Sequence, residues 1–115
     1  MIIGVGTDIV SLERIRRAAM NARFVERILT RREREEFTSI AEIAGRWAAK
    51  EAIAKALSSR TLGWQEVEIL RGSQGEPLVS VQLPPGQHLH LSISHERENA
   101  VAFAVLEQRQ PADIS

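Results

Sequence analysis

Arg46-Trp47-Ala48-Ala49-Lys50-Glu51-Ala52-Ile53-Ala54-Lys55-Ala56 is the stretch on which the reading of this chain turns. It is rich in Ala and holds neither Gly nor Pro, so its intrinsic helix propensity is high. At about 3.6 residues per turn, Ala49, Ala52, Ile53 and Ala56 share one apolar arc. Arg46 and Lys50 fall together on the other side, with Glu51 and Lys55 a little further round. One helix thus carries three cations and a carboxylate, backed by small residues that allow close packing. Its two Lys are the only ones in the chain, which otherwise uses Arg for positive charge. Lys is a compact, hydrated point charge suited to a phosphate, whereas Arg is a planar fork. A Glu followed four residues on by a Lys is equally an ordinary helix-stabilising pair, so the helix by itself does not decide between structure and chemistry.

The bulk composition narrows the choice. A chain of 115 residues with 43% hydrophobic and 26% charged residues is one globular domain with a modest core. The absence of Cys excludes disulfides, thiolate metal sites and a Cys nucleophile. No basic region leads into a long apolar run, so the expectation is no signal peptide, no membrane span and a cytoplasmic location. Three Phe, two Trp and no Tyr make a poor stacking platform for single-stranded nucleic acid. Net charge is zero but unevenly spread: Arg14, Arg16, Arg17, Arg23, Arg27, Arg31, Arg32 and Arg34 stand close together against Glu26 and Glu33. That asymmetry suits an acidic partner, with a solvated helix face as the plainer alternative.

Ile2 to Val10 reads as a first strand with Ile3, Val5, Thr7 and Ile9 on one face and Ile2, Gly4, Gly6, Asp8 and Val10 on the other. Two Gly on one face leave bare backbone for the close approach of another segment or a ligand. Asp8, a carboxylate in so apolar a strand, is paired, metal-bound or at an exposed strand end. Ser11 can cap a helix from Leu12 to about Met20, and Asn21-Ala22 reads as a break before Phe24. Thr30-Arg31-Arg32-Glu33 and Ser39-Ile40-Ala41-Glu42 are capping-box patterns; the first opens a short helix to about Phe37, the second the long helix ending near Leu57.

From Trp64 the period changes to two. Gln65 to Arg71, Leu78 to Leu83, His88 to His95 and Ala100 to Glu107 alternate, separated by turn signals that favour antiparallel hairpins. The architecture is α+β: strand, helices, then an antiparallel meander, with residues 1–107 as the domain and 108–115 as a flexible tail. His88 and His90 could chelate a metal at i, i+2, but no third ligand is evident and surface histidines are the simpler reading. His95 ends its strand in phase with Leu89, Leu91 and Ile93, so it points with the apolar set.

Three segments, Val5-Gly6-Thr7-Asp8-Ile9-Val10, Arg46 to Ala52 with Lys55-Ala56, and Ser92-Ile93-Ser94-His95 with Ala100-Val101-Ala102, resemble in this order the signatures of the 4′-phosphopantetheinyl transferases. The short length and Phe24-Val25-Glu26-Arg27-Ile28-Leu29-Thr30 are similar to the small holo-acyl-carrier-protein synthase branch. The resemblance spans Met1 to about Glu107. It implies transfer of the phosphopantetheine arm of coenzyme A to a serine of apo-acyl carrier protein, with release of adenosine 3′,5′-bisphosphate. It also implies a homotrimer with active sites between subunits, and no nucleic-acid or membrane partner.

Displacement at a diphosphate is a matter of positioning and neutralising charge on phosphate oxygens. The resemblance makes Asp8 and Glu51 the ligands of Mg²⁺, with Mn²⁺ as the alternative, and hard carboxylate oxygens suit that ion. Lys55 matches the lysine that reaches a phosphate; Arg46, Lys50 and His95 match positions at the coenzyme's phosphates or the site wall. Gly75 and Pro77 match a Gly-x-Pro turn near the nucleotide. Glu51, or a metal-bound water, is the general base. Arg14, Arg17 and Arg23 are the candidates to grip an acidic carrier. The chain also departs from the pattern: Ser58-Ser59-Arg60-Thr61 replaces a Gly-Thr-Gly-like loop, the connection before Ser39 is shorter, and Glu96 follows His95. A non-catalytic trimeric scaffold and a nucleic-acid-binding module built on the arginines are the rival readings.

Overall fold

The alternation at the N-terminus becomes a ten-residue strand, Ile2–Ser11 (β1). A computed structural model describes residues 1–110 of the chain. Four helices follow: Leu12–Ala18 (α1), Ala22–Ile28 (α2), Arg31–Glu36 (α3) and Ile40–Ala56 (α4). A single 3₁₀ turn, Trp64–Glu66, leads into strands Glu68–Arg71 (β2), Pro77–Ser80 (β3), Gln87–His95 (β4) and Asn99–Gln108 (β5).

Local hydrogen bonding explains the helix starts. The side chain of Ser11 accepts from the Arg14 N–H, and both capping boxes close: Thr30 with Glu33, and Ser39 with Glu42. α1 ends at Ala18, short of the expected Met20. Asn21 is more than a break. Its side chain accepts from the Arg23 N–H and starts α2, a helix that the sequence reading passed over.

The expected meander divides into two sheets. β1, β5 and β4 form an antiparallel sheet in that order, while β2 and β3 pair with each other as a separate hairpin. The run from Gln65 opens as the 3₁₀ turn, and β3 stops at Ser80, before Pro84 and Pro85 remove two ladder donors. At the other end, β5 runs through Gln108, whose N–H donates to the Met1 carbonyl at 2.7 Å while the Met1 ammonium donates to the Gln108 carbonyl at 2.9 Å. Residues 111–115 of the expected tail lie outside the described residues.

Where α4 lies on the sheet, the core is built mostly of small residues. Ala48, Ala49, Ala52, Ile53 and Ala56 of α4 are buried against Ala100, Ala102, Ala104 and Leu106 of β5. The glycine face of β1 turns the same way. A Cβ on Gly4 would lie 2.0 Å from the Ala56 carbonyl oxygen, and one on Gly6 2.0 Å from that of Ala52. The opposite face of the three-stranded sheet is uncovered, leaving Ile3, Val5, Ile9, Val101 and Phe103 exposed.

Candidate active site

α4 crosses the sheet obliquely, and this crossing sorts the candidate residues. Near its start, the Cα of Gly45 sits against the Ile93 side chain on β4; near its end, Ala52, Lys55 and Ala56 lie on Gly4 and Gly6 of β1. Glu51 and Lys55 therefore reach the β1 edge. Asp8 stands two residues, about 7 Å, beyond Gly6 along the strand. That rise brings it level with the turn from Ala48 to Glu51.

Asp8 is paired in this structure. Lys55 Nζ donates to Asp8 Oδ1 at 3.3 Å and to the Thr7 carbonyl at 2.9 Å. Asp8 is 19% exposed and Lys55 55%. Glu51 makes no hydrogen bond or ion pair with any of the described residues. It lines a cleft of about 750 Å³ with Lys55, Ser58, Ser59, Arg60, Leu62 and Trp64. An acid, two cations and two hydroxyls around open space form a site for a multiply charged ligand. Leu62 and Trp64 were not singled out from the sequence; their signal was position, just after the end of the helix that carries Glu51.

Arg46 and Lys50, expected at the coenzyme's phosphates or the site wall, are buried on the other side of α4 from Lys55, and Lys50 lies behind Glu51, Leu62 and Trp64. α3, the 3₁₀ turn and β2 close over that side of α4. The Lys50 side chain is 2% exposed and Glu33 0%. Lys50 Nζ donates to Glu33 Oε1 at 2.7 Å, the Ile28 carbonyl at 2.8 Å and the Trp64 carbonyl at 2.9 Å. Its three donors are spent inside the protein. Glu33 also accepts from the N–H groups of Thr30 and Ile69, both at 2.7 Å. Burial pulls the Lys50 ammonium below its ordinary pKa, and its hydrogen bond to Glu33 opposes that pull. Arg46 lies 3.4 Å from the centre of the Phe37 ring, donates to the Ile69 carbonyl at 3.3 Å and is 7% exposed. Burial, with the charge of Arg71 beside it, lowers its pKa to about 10 against the pull of Glu33, Glu42 and Glu36.

The remaining candidates gather at the other end of α4. Pro77 pairs with Arg71, whose guanidinium meets Glu42 in the first helical turn at 2.9 Å. Gly75, at φ +83°, makes the hairpin turn beside them. Since Glu42 and Lys55 are about 20 Å apart along the helix axis, this turn and the Lys55 cleft do not meet within one chain. His95 is on the β4 edge, in the row Val10, Ala100, His95. Asp8 is on the β1 edge, with β5 between the two strands. His95 is exposed rather than tucked with Leu89, Leu91 and Ile93, and it borders a hollow of about 180 Å³ with Ile9, Ser94 and Val101.

Arg14, Arg17 and Arg23 are exposed on α1 and α2. Much of the arginine cluster also has internal partners: Arg16 and Arg17 pair with Glu13, Arg31 with Glu35, Arg32 with Glu68, Arg14 lies over the Trp47 ring, and Arg34 donates to the Glu26 and Leu29 carbonyls at the end of α2. Trp47 stacks between Phe24 and Trp64, with ring centres at 5.3 and 4.6 Å, and ties α2 and the cleft wall to α4.

Among the described residues no three His, Asp or Glu side chains converge as a metal cage. His90 is taken by Glu107 at 2.9 Å, so the His88–His90 chelate is not formed. Two carboxylates without a third protein ligand nevertheless fit Mg²⁺, which binds one or two carboxylates and completes its shell with phosphate and water.

Comparisons with known proteins agree with this geometry. A sequence model of the 4′-phosphopantetheinyl transferase superfamily matches residues 4–106. The holo-[acyl-carrier-protein] synthase of Geobacillus kaustophilus is 47% identical, over 96% of this chain and 93% of that protein. That of Halalkalibacterium halodurans is 43% identical, over 94% and 98%. The crystal structure of a holo-(acyl-carrier-protein) synthase from Bacillus anthracis, in complex with CoA (3′,5′-ADP), superposes with a TM-score of 0.84 at 37% identity, covering 95% of this chain and 99% of that one.

Proposed function

Because the chain belongs to the 4′-phosphopantetheinyl transferase superfamily, we propose that it is a holo-acyl-carrier-protein synthase, moving 4′-phosphopantetheine from coenzyme A to a serine of apo-acyl carrier protein. The observation that carries this reading is the cleft at the end of α4, which Glu51 and Lys55 both line and at whose β1 edge Lys55 holds Asp8.

Each residue then has a task. The serine oxygen attacks the phosphorus that bears the pantetheine arm. A new P–O bond forms, the bond to the bridging diphosphate oxygen breaks, and adenosine 3′,5′-bisphosphate departs. Glu51 takes the serine proton, directly or through a water that it orients. Lys55, released from Asp8, donates to a phosphate oxygen as negative charge moves onto the leaving group. Asp8 and Glu51 are the residues that would hold Mg²⁺, or Mn²⁺ in its place, and the ion supplies positive charge to the diphosphate oxygens. The exposed guanidiniums of Arg14, Arg17 and Arg23 offer an acidic carrier its docking face.

The active unit is a homotrimer with sites between subunits. Two features support it: the uncovered apolar sheet face, and the place of the Gly75–Pro77 turn, beside Glu42 at the start of α4 and so about 20 Å along the axis from Lys55 at its end. One chain supplies the carboxylates and lysine, and its neighbour supplies the turn and the histidine. Among the described residues no helix is long and apolar enough to cross a membrane. From the transferase reading itself we place its work in the cytoplasm, in fatty-acid and lipid metabolism. Incubation with CoA, Mg²⁺ and apo-carrier should release adenosine 3′,5′-bisphosphate in step with carrier, and EDTA should stop it. Release without carrier would overturn the reading.

A further inference from the structure

α2 is a helix of seven residues, too short to hold itself in water. Its most extensive packing is on the 3₁₀ turn and α3. The last helical bond runs from the Leu29 N–H to the Val25 carbonyl, and Leu29 itself is extended. The carbonyls of Glu26, Arg27, Ile28 and Leu29 must therefore find donors outside the helix. Side chains from three other elements meet them. Arg34 of α3 donates to the Glu26 and Leu29 carbonyls at 3.3 and 2.7 Å, and Lys50 of α4 to that of Ile28 at 2.8 Å. The Gln65 amide, from the 3₁₀ turn, donates to the Glu26 and Arg27 carbonyls at 3.0 Å and to that of Leu29 at 2.9 Å. Among the described residues, Gln65 alone meets the Arg27 carbonyl. Three carbonyls around one nitrogen call for a donor there, and the negative end of a helix dipole disfavours a carboxylate.

Gln65 is exposed, so its amide is not there to fill the core. Its neighbour Trp64 lines the cleft with Glu51 and Lys55. The Trp64 carbonyl is held at 2.9 Å by the same Lys50 ammonium that holds Ile28. Two consecutive residues thus pin the cleft wall to the end of α2. At its other end α2 presents the exposed Arg23. Phe24 stacks on Trp47 and Val25 packs against the core, which seats the helix. Apolar burial is non-directional, however, and leaves the tilt of so short a helix to its hydrogen bonds. That tilt sets where Arg23 stands relative to Glu51.

We propose that Gln65 is a positioning residue for the carrier: by bonding the end of α2 to the cleft wall, it keeps Arg23 in register with Glu51. This rests on the transferase reading above and deepens it by naming what aligns the docked carrier with the cleft. The test compares the native chain with Gln65→Ala, Gln65→Glu and Gln65→Lys. Transfer is followed with CoA and apo-carrier, carrier affinity by calorimetry, and the α2 amides by hydrogen exchange. Gln65→Ala should raise KM for the carrier about three- to ten-fold, leave KM for CoA within about two-fold, and speed exchange in α2 but not in α4. Gln65→Glu, of the same size but without the donor, should do no better, whereas Gln65→Lys restores a donor and should recover most of the loss. Because Gln65 acts through Arg23, Gln65→Ala should cost little more in an Arg23→Ala background. Unchanged exchange in α2, an equal rise in both KM values, a Gln65→Glu chain as good as the native one, or losses at Gln65 and Arg23 that simply add would each overturn the inference. If the native chain binds carrier but transfers nothing, the transferase reading fails while the carrier affinities still decide the role of Gln65. If it binds no carrier, both fail.

Discussion

Glu51 and Lys50 are neighbours in sequence and opposites in circumstance. Glu51 faces the cleft with no partner among the described residues, whereas Lys50 is enclosed with three acceptors. Their substitutions should separate cleanly. Glu51→Gln should lower turnover with saturating Mg²⁺ by about a hundred-fold or more and leave the melting temperature almost unchanged. Full turnover in that variant would remove Glu51 as both metal ligand and base. Lys50→Met should instead destabilise the fold by about 3–5 kcal/mol, because it strands Glu33 as a buried, unpaired carboxylate. Urea denaturation measures it, and a loss below about 1 kcal/mol would contradict the enclosed ion pair. Glu42 makes a third case, visible in acid. Burial would raise its pKa, but hydrogen bonds from Arg71 and Ser39 win and lower it from 4.5 to about 2. A carboxylate with a depressed folded pKa contributes stability that is complete above its unfolded value and is lost as pH falls through the folded one. The stability gap between the native chain and Arg71→Ala should therefore be widest near neutrality and shrink as pH falls from 4.5 towards 2. An unchanged gap across that window would show that the Glu42–Arg71 pair is not responsible.

At the scale of elements, α4 depends on bare backbone beneath it. Gly6→Ala would set a Cβ 2.0 Å from the Ala52 carbonyl oxygen, and since both partners are main chain neither can swing aside. The cost should be about 1–3 kcal/mol or more in denaturation experiments, and a neutral result would mean that α4 does not lie on β1 as described. The glycine face, the capping boxes and the long helix were legible in the sequence because each is signalled by nearby residues: Gly4 and Gly6 by alternation, Thr30 and Ser39 by the Glu three positions on. What could not be read was set by distant segments. Arg46 and Lys50 look like a polar arc until α3, the 3₁₀ turn and β2 close over them. Glu33 was recognised as a capping residue, but its second role with Lys50 and Ile69 depends on groups 17 and 36 residues away. α2 was missed because Asn21 ends one element and caps the next. Asp8 and Glu51 each stood out locally, but their pairing as metal ligands came only through resemblance to a family, since no local pattern pairs a strand residue with a helix residue so far along the chain.

At the scale of the whole molecule, the uncovered sheet face and the divided site make one claim about assembly. Phe103→Glu, on the exposed apolar face, should reduce the proposed trimer to monomers in sedimentation and abolish transfer, because in that assembly each site needs a neighbour. Mixed trimers test the division directly. Glu51→Gln and His95→Ala chains, each nearly inactive alone, should regain activity when unfolded and refolded together, since some interfaces then join an intact carboxylate half to an intact histidine half. No recovery would place both residues in one chain's site. The most direct test of the chemistry is the mass of an intact apo-acyl carrier protein after incubation with this protein, CoA and Mg²⁺. The carrier should gain one phosphopantetheinyl group on its serine, and EDTA or Glu51→Gln should prevent the gain. A carrier of unchanged mass would contradict the assignment.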